Sequence, residues 1–371
     1  MESTARIIND DDQGIPASRL DITPYLKLLV DKHGADLHFT SGAPVKLNVE
    51  GVLNSVGKTP LSPEMTKAAA YGIMSTQQIA AFEANWEADF AIALSDKSAR
   101  FRVNVFRQRG DVAMVLRRIP ADIPTIDALG LPMILKEIVL HKRGLILMVG
   151  ATGSGKSTTL AAMMHHRNQS GPGHILTIED PVEFSHPNLK CIINQREVGI
   201  DTKSYRAALR AAMREAPDVI QIGEARDRET MEAALELCNT GHLCLSTLHA
   251  NNAAQAMERI INLFPQDVRK QLLLDLSINV RAIVSQRLVH GIDTKRCAAI
   301  EIMISTPHIA ELILKGEIDR IKEAMDGSGM KGMQSFDTAL YELFKEGRIT
   351  LEEALRNADS RTNLEAKIHF S

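Results

Sequence analysis

The eight residues GATGSGKS at positions 150–157 constrain this chain more than any other part of it. They follow an apolar run at residues 145–149 and open a stretch with helical periodicity. This strand–loop–helix context is the one in which the pattern binds phosphate. The glycines let consecutive backbone N–H groups point into one concavity, and the helix N-terminus adds partial positive charge. The sequence therefore predicts a phosphate-binding loop (P-loop), and a chance glycine-rich turn is the disfavoured alternative.

The loop predicts ATP and Mg²⁺ as cofactors. Lys156 can reach the β- and γ-phosphates, and the Ser157 hydroxyl suits a Mg²⁺ ligand. The residues that we assign to nucleotide binding are Gly150, Ala151, Thr152, Gly153, Ser154, Gly155, Lys156, Ser157 and Thr158.

From residue 144 onward, the pattern predicts strands that alternate with helices. The predicted strands are residues 145–149, 175–178, 219–222 and 243–247, and the predicted helices are residues 156–167, 205–215 and 228–238. This alternation favours an α/β fold with a mostly parallel sheet that is covered on both faces. In a C-terminal helical region, Ser335 is predicted to cap one helix, and Thr350 and Glu353 form a capping-box pattern for one more.

The chain before residue 120 predicts a smaller α+β domain. Phe101, Val103 and Val105 alternate with polar residues, which indicates a half-buried strand. We expect an acidic tail at 1–20, this domain at 21–119, a proline-punctuated linker at 120–132 and the α/β domain at 133–371. Within the smaller domain we expect a helix at 22–33, strands at 36–39, 45–49, 99–106 and 112–119, and a helical stretch at 63–85.

Two further motifs place carboxylates where parallel strands should end. In IEDPVEF, Glu179, Asp180 or Glu183 could orient or deprotonate an attacking water, and a solvated turn explains them equally well. In VIQIGEARD, an apolar run closes in Glu224, which resembles a Walker B element that could hold Mg²⁺. An ordinary strand-to-helix turn is the alternative, and the intact P-loop favours the functional interpretation.

Histidines and arginines add weaker candidates. His242 and His249 bracket the fourth predicted strand, and seven residues apart they would not face the same way, so a metal pair is disfavoured. A strand-end histidine could sense phosphate, whereas a lone histidine is more often a core or surface residue. Five arginines of the smaller domain form a solvated strand face or supply arginine fingers, and spacing does not choose between these: Arg102, Arg107, Arg109, Arg117 and Arg118.

Composition disfavours several other classes of protein. The chain has 43 Lys and Arg against 46 Asp and Glu, and only 4% of its residues are aromatic, so we expect no nucleic-acid partner. No apolar run approaches the ~18–20 residues of a membrane helix, and the first twelve residues lack the apolar core of a secretory signal. Cys191, Cys238, Cys244 and Cys297 form no Cys-x-x-Cys pair, so we expect buried thiols and no zinc site.

In the order GATGSGKS, TIEDPVEF, IGEARD and TGHLCLSTLHA, the chain resembles the secretion-ATPase superfamily with its Walker A, Asp box, Walker B and His box. The likeness extends from about residue 20 to residue 360 and is greatest to the PilT/PilU family of twitching-motility ATPases. It implies a PAS-like N-terminal domain, a RecA-like ATPase domain and a homo-hexamer. It also implies roles for six residues: Glu183 as general base, Glu224 as the Walker B carboxylate, His242 and His249 as the His box, and Arg102 and Arg117 as phosphate contacts.

The resemblance also implies a function, a location and partners. It implies a motor subunit that hydrolyses ATP to retract type IV pili, at the inner face of the bacterial inner membrane, with a platform protein there. The PilT branch carries Ala-Ile-Arg-Asn-Leu-Ile-Arg-Glu, where this chain has HIAELILK at residues 308–315. This loss favours a PilU-like subunit that depends on a PilT-like partner. An independent retraction motor and a non-motor ring partner remain the alternatives.

Overall fold

The computed structural model describes residues 20–49, 51–96, 98–120, 122–293 and 295–370. The expected tail at residues 1–20 lies outside the described residues except for its last position. The described residues up to Pro120 form one compact unit, and those from Asp122 onward form a second. Within both units, no described helix has the length and apolar character needed to cross a membrane.

The first unit is an antiparallel sheet covered by helices. Its described strands follow one another across the sheet in the order β3-β2-β1-β6-β5-β4, and every neighbouring pair is antiparallel. Its elements are α1 (Thr23–Asp31), β1 (Asp36–Phe39), β2 (Val45–Val49), β3 (Val52–Val56), α2 (Pro63–Tyr71), α3 (Thr76–Asn85), β4 (Glu87–Ala93), β5 (Arg100–Gln108) and β6 (Asp111–Ile119).

The predicted alternation on β5 is confirmed, because Phe101, Val103 and Val105 are fully buried in the core of this unit. The single helical stretch predicted at residues 63–85 is wrong in one respect. It is two helices, and α3 restarts at Ser75, which forms a capping box with Gln78. The strands β3 and β4 were not predicted. All but one residue of β3 is exposed, so the strand lacks the burial-driven alternation that reveals a strand.

The second unit alternates strands and helices over its first half and ends in helices. Its elements are α4 (Ile134–Ile138), β7 (Gly144–Val149), α5 (Lys156–Ser170), β8 (Gly173–Glu179), β9 (Cys191–Glu197), α6 (Tyr205–Ala212), β10 (Val219–Ile222), α7 (Arg228–Asn239), β11 (Leu243–Leu248), α8 (Ala253–Asn262), α9 (Arg269–Asn279), β12 (Val280–His290), β13 (Arg296–Ile304), α10 (Pro307–Lys315), α11 (Ile321–Asp326), α12 (Phe336–Lys345), α13 (Leu351–Asn357) and α14 (Arg361–Phe370).

These strands form one sheet in the order β13-β12-β7-β11-β10-β8-β9, parallel throughout except for the antiparallel pair β12–β13. Both of its faces are covered. Along β7, Leu145, Leu147 and Val149 pack into one core cluster, whereas Ile146 and Met148 pack into the other. A strand buried on both sides is a continuous apolar run, which is the pattern that predicted β7. The four predicted strands and three predicted helices of this sheet are all confirmed.

The segment at residues 120–132 was expected to be a linker. It begins at the boundary between the units, but part of it packs into the core of the second unit. Ile126 and Leu131 are buried in a core cluster of the second unit. At the other end of the chain, Thr350 caps α13 by accepting a hydrogen bond from the backbone N–H of Glu353. The Glu353 carboxylate does not close a capping box, since it accepts from the N–H of His290. Ser335 stands at the N-cap of α12 without a side-chain cap.

One strand joins the sheet to these last helices. On β12, the guanidinium of Arg287 lies 3.8 Å from the ring centroid of Phe336 on α12. It also pairs with the Asp359 carboxylate at 2.8 Å and donates to the carbonyl of Asn357. Arg287 therefore anchors the C-terminal helices to β12.

Candidate nucleotide-binding site

The predicted motifs meet at one edge of the parallel sheet. The P-loop follows β7, residues 180–183 follow β8, Glu224 follows β10 and His249 follows β11. These four strands are neighbours in the order β7-β11-β10-β8. The carboxyl ends of parallel strands are where α/β proteins bind ligands. The fold therefore brings together motifs that are separated by about a hundred residues of sequence.

The P-loop conformation depends on its glycines. Gly150, Gly153 and Gly155 all have positive φ, at 152°, 77° and 87°. Gly150 also lies so close to β12 that a Cβ there would be 2.5 Å from the backbone oxygen of Gln286. Helix α5 begins directly after the loop, and no side chain caps its N-terminus. Its first backbone N–H groups are therefore available to phosphate oxygens.

Lys156 is folded back onto the loop. Its ammonium donates to the carbonyls of Gly150 and Ala151 at 2.8 and 2.9 Å. Burial lowers the pKa of this amine, and the nearby Glu224 carboxylate works in the opposite direction. The hydroxyl of Ser154 is buried and has no hydrogen-bond partner within the described structure. A buried orphan hydroxyl and a half-buried cation match a loop built to receive an anion.

The structure separates the three carboxylates of IEDPVEF. Glu179 is only 5% exposed, and it accepts hydrogen bonds from the hydroxyl of Thr177 and the amide of Gln195, at 2.6 and 3.3 Å. It also accepts from the backbone N–H of Glu183 at 3.3 Å. Burial raises the pKa of Glu179. Asp180 and Glu183 are exposed. Glu179 is thus occupied in holding the loop, and Glu183 is the carboxylate that water can reach.

Glu224 and His249 lie together at the ends of β10 and β11. One Glu224 oxygen accepts from the guanidinium of Arg226 at 2.7 Å, and the other lies 3.3 Å from His249 Nε2. The Glu224 carboxylate in turn raises the pKa of Arg226. The Glu224 side chain is 15% exposed, and its carboxylate lies between the Arg226 guanidinium and the His249 imidazole. A Mg²⁺ ion held by Glu224 would replace one of these contacts.

His242 does not lie with the other candidates. It precedes β11, and its backbone oxygen accepts from Gly144 at the start of β7. Its Nδ1 lies near the Leu237 carbonyl and the Thr240 hydroxyl, at 3.0 and 3.1 Å. At a rise of roughly 3.3 Å per residue, it is on the order of 20 Å from His249 along the strand. Assigning His242 to the nucleotide that this P-loop would bind does not fit the structure, because it stands at the opposite edge of the sheet.

Arg102 and Arg117 belong to the first unit and lie side by side on β5 and β6. Arg117 donates to the nearly buried Asp36 carboxylate at 2.7 Å, and Arg102 lies 3.8 Å from Asp89. The Arg117 side chain is nevertheless 67% exposed. Both arginines therefore stand on one partly solvated face of the first sheet, and their contact with phosphate stays a prediction.

Sequence reasoning missed the residues behind the P-loop. Thr159 on α5 donates to the side chain of Gln286 on β12 at 2.7 Å, and both residues are buried. A Cβ on Gly155 would lie only 2.7 Å from the amide nitrogen of Gln286. Thr159 and Gln286 are 127 positions apart, so no local pattern could have paired them. The hydroxyl of Tyr205 is a further missed neighbour, since it packs against Gly223 beside Glu224.

A cleft of about 500 Å³ opens beside the P-loop. Its polar lining comes mostly from α8, along the whole helix, and from the turn before it. The residues around it are Gly150, Ala151, His249, Ala250, Asn251, Gln255, Glu258, Arg259 and Asn262. Besides this cleft, the carboxyl ends of the strands carry the backbone amides of the P-loop, Lys156, the Ser157 hydroxyl and the carboxylates Glu183 and Glu224. This is the set of groups that phosphoryl transfer to water requires.

The chain is similar to known proteins over most of its length. The family described as type II/IV secretion system protein matches residues 12–366. The type IV pilus ATPase PilU of Pseudomonas aeruginosa is 51% identical, over 94% of this chain and 91% of that protein. The type IV pilus retraction ATPase PilT of the same organism is 40% identical, over 91% and 98%. The crystal structure of the pilus retraction motor PilT with bound ADP has a TM-score of 0.87 at 41% identity, over 94% of this chain and all of that one.

Proposed function

This chain belongs to the type II/IV secretion system protein family, and from that premise we propose that it is an ATP-hydrolysing motor subunit that powers type IV pilus retraction. The observation that carries the proposal is the meeting of the P-loop, Glu183 and Glu224 at the carboxyl ends of neighbouring strands. That arrangement occurs in a chain that is 51% identical to a type IV pilus ATPase over nearly its whole length.

In this proposal the loop binds the phosphates of ATP. The backbone N–H groups of residues 150–157 and the α5 N-terminus hold the phosphate oxygens. Lys156 exchanges its bonds to the Gly150 and Ala151 carbonyls for bonds to phosphate. The oxygen donors of Ser157 and Glu224 fit a Mg²⁺ ion, and this ion, when bound, neutralises charge on the phosphates.

Glu183 acts on the water. Its exposed carboxylate can accept a proton from the attacking water as the bond to the γ-phosphate forms and the bond to the β-phosphate oxygen breaks. Glu179 is the weaker candidate for this role, because it is buried and bonds to Thr177 and to the backbone N–H of Glu183. His249, in contact with Glu224, is placed to respond to the ion or to the phosphate.

We further propose a homo-hexameric ring at the cytoplasmic face of the inner membrane, working on a platform protein of the pilus machine. A ring interface is heterologous, so one subunit can present groups to the nucleotide of the next. Arg102 and Arg117 are the groups that we propose for this contact, and the exposure of Arg117 supports the choice.

Dependence on a PilT-like partner follows from α10. Its residues Ile309, Leu312 and Ile313 are buried, and they are the apolar positions that HIAELILK shares with the arginine-bearing motif of the PilT branch. Its exposed surface differs, since Leu314 is 47% exposed and Glu311 pairs with Lys315 at 2.6 Å. The helix therefore keeps its place in the fold and loses the cations that could bind a neighbour. We propose that the chain retracts pili only together with a PilT-like motor.

The enzymatic part is tested by phosphate release from the purified full-length chain. We expect Glu183→Gln to bind ATP normally and to turn over roughly 10²-fold more slowly, the usual scale for losing a general base. Glu179→Gln is a second carboxylate variant, and because Glu179 holds the loop we expect it to lower stability and to lower turnover less than Glu183→Gln does. Full turnover by Glu183→Gln would refute the assignment of the base.

The motor part is tested genetically. Twitching is scored in cells that lack the PilT-like gene and express this chain, with and without a PilT-like protein that cannot hydrolyse ATP. We expect retraction only when the inactive partner is present. Efficient retraction by this chain alone would favour an independent motor, and no retraction in either case would favour a non-motor ring partner.

A further inference from the structure

The candidate base Glu183 lies on a loop, residues 180–187, that is not fixed by hydrogen bonds between backbone groups of the described residues. Among the described residues, the backbone groups of residues 180–187 make no hydrogen bond to other backbone groups. The Glu183 side chain is exposed and also lacks a hydrogen-bond partner in the described structure. General base catalysis needs a carboxylate placed within about 3 Å of the proton that it removes. Something other than backbone pairing must therefore fix this loop.

The amide of Gln195 on β9 provides that support. Its oxygen accepts from the backbone N–H of His186 at 2.8 Å, and its nitrogen donates to the backbone carbonyl of Phe184, also at 2.8 Å. A flat amide that binds the N–H and C=O of residues two apart imitates the pairing of a neighbouring strand. The donor on His186 and the acceptor on Phe184 fix the orientation of the amide. Both contacts lie within three residues of Glu183.

Gln195 is part of a set of four side chains on one face of two paired strands. The register places Gln195 opposite Thr177 and places Glu197 opposite Glu179. The Gln195 nitrogen also donates to Glu179, which accepts from the backbone N–H of Glu183, and Glu197 accepts from the N–H of Val182 at 3.2 Å. Residues at alternate positions of a strand share a face, so all four point at the loop.

Within this set, Gln195 is the residue that donates to a loop carbonyl, since the Thr177 hydroxyl donates to Glu179 instead. Glu179 and Glu197 bind the loop through accepting oxygens, whereas the Phe184 carbonyl needs a donor. We propose that Gln195 is a positioning residue for hydrolysis, which holds the loop so that Glu183 faces the attacking water. The proposal rests on the proposed role of Glu183 as the base.

The experiment uses the full-length chain and follows steady-state phosphate release together with binding of a non-hydrolysable ATP analogue. Gln195→Leu removes both loop contacts at nearly constant size. We expect its kcat to fall by roughly 10- to 100-fold, because small misplacements of a catalytic group are costly. We expect analogue binding within about twofold of the original, because the P-loop is untouched. Gln334→Leu is the control, since Gln334 is also half-buried and donates to a backbone carbonyl, that of Ile300, away from the site.

A second variant gives a readout that general loss of structure would not produce. In Gln195→Glu the ionised carboxylate can only accept, so it loses the bond to the Phe184 carbonyl. When protonated, it regains one donor and one acceptor in nearly the same shape. The Glu179 carboxylate beside it favours the protonated form. We therefore expect the kcat of Gln195→Glu, divided by that of the original chain, to rise as the pH falls from about 8 to about 6.

A double variant that combines Gln195→Leu with Glu183→Gln tests whether Gln195 acts through Glu183 or independently of it. If Gln195 acts through Glu183, adding Gln195→Leu to Glu183→Gln lowers kcat by no more than about twofold further. A full additional loss would show that Gln195 acts elsewhere, and so would a Gln195→Leu enzyme that turns over like Gln334→Leu. A flat pH ratio for Gln195→Glu would also overturn the proposal. Normal turnover by Glu183→Gln alone would instead remove the proposed base, and this result is read independently of Gln195.

Discussion

Alanine substitutions at two glycines of the P-loop can distinguish two causes of lost stability, a steric clash with β12 and backbone strain. Gly150 and Gly153 both have positive φ, at 152° and 77°, so an alanine at either position is strained, by about 1–3 kcal/mol. They differ in their surroundings. A Cβ on Gly153 would meet nothing within 4 Å, whereas a Cβ on Gly150 would lie 2.5 Å from the backbone oxygen of Gln286 and 2.5 Å from the Ser154 hydroxyl. A backbone oxygen on a paired strand cannot turn away as a flexible side chain does.

We therefore expect Gly150→Ala to be less stable than Gly153→Ala by the cost of overpacking, about 1–3 kcal/mol. In a unit of this size, 1 kcal/mol corresponds to roughly 2–4 °C of Tm. For a middle value of about 2 kcal/mol, the melting transition of the second unit should fall about 6 °C further in Gly150→Ala. The assay is calorimetry at fixed protein concentration without nucleotide, because bound ligand and assembly both shift Tm.

Gly171→Ala is the control for this pair. Gly171 has extended backbone angles, and a Cβ there would meet nothing within 4 Å, so we expect a change within about 0.5 kcal/mol. Equal shifts in Gly150→Ala and Gly153→Ala would refute the reasoning. They would show that β12 yields to the loop and that only the backbone angles matter.

Three further predictions follow from the site. Lys156→Ala should abolish hydrolysis and weaken nucleotide binding, because the loop loses the cation that offsets phosphate charge; near-normal phosphate release would contradict the assignment. Mass measurement in solution should show a ring, and a fully active monomer would contradict contacts supplied by a neighbouring subunit. Burial, together with the nearby His165, lowers the pKa of His186 from 6.5 to about 4. The unfolded chain therefore takes up this proton well before the folded one does, and stability is lost as the pH falls through that window. Urea titrations should show a loss of about 1–2 kcal/mol between pH 7 and pH 5 from this group. His186→Gln should lose correspondingly less, and an equal loss in both proteins would refute the role of this imidazole.

The sequence predicted the parts of the site that local patterns encode. The apolar runs of β7, β10 and β11 are buried on both faces, so their positions are visible without knowledge of the fold. The P-loop is recognisable because its glycines, Lys156 and Ser157 act at fixed spacing on one ligand. The exposed strand β3 was not predicted because its residues lack the alternation that burial of one face produces. The strands β12 and β13 were not predicted either, and β12 pairs with β7, which lies far earlier in the chain.

The same distinction explains what was missed and what was wrong. The bond between Thr159 and Gln286 joins residues that only the fold brings together. Gln195 carries no signal of its own, because its function depends on the backbone of a loop nine positions earlier. His242 was assigned by transferring a motif as a whole. Counting strand residues separates it from His249 by the length of β11, which the structure confirms.

The two faces of β12 give this fold a short mechanical connection. Gln286 backs the phosphate loop, and the next residue, Arg287, holds the C-terminal helices through Phe336 and Asp359. Because consecutive strand residues point to opposite sides, a single peptide unit lies between these two attachments. The contacts to the C-terminal helices and the contact to α5 behind the P-loop are thus made by two consecutive residues of one strand, with no loop between them. In a protein that generates force, β12 is therefore a strand on which load at the C-terminal helices and chemistry at the P-loop would act on neighbouring residues.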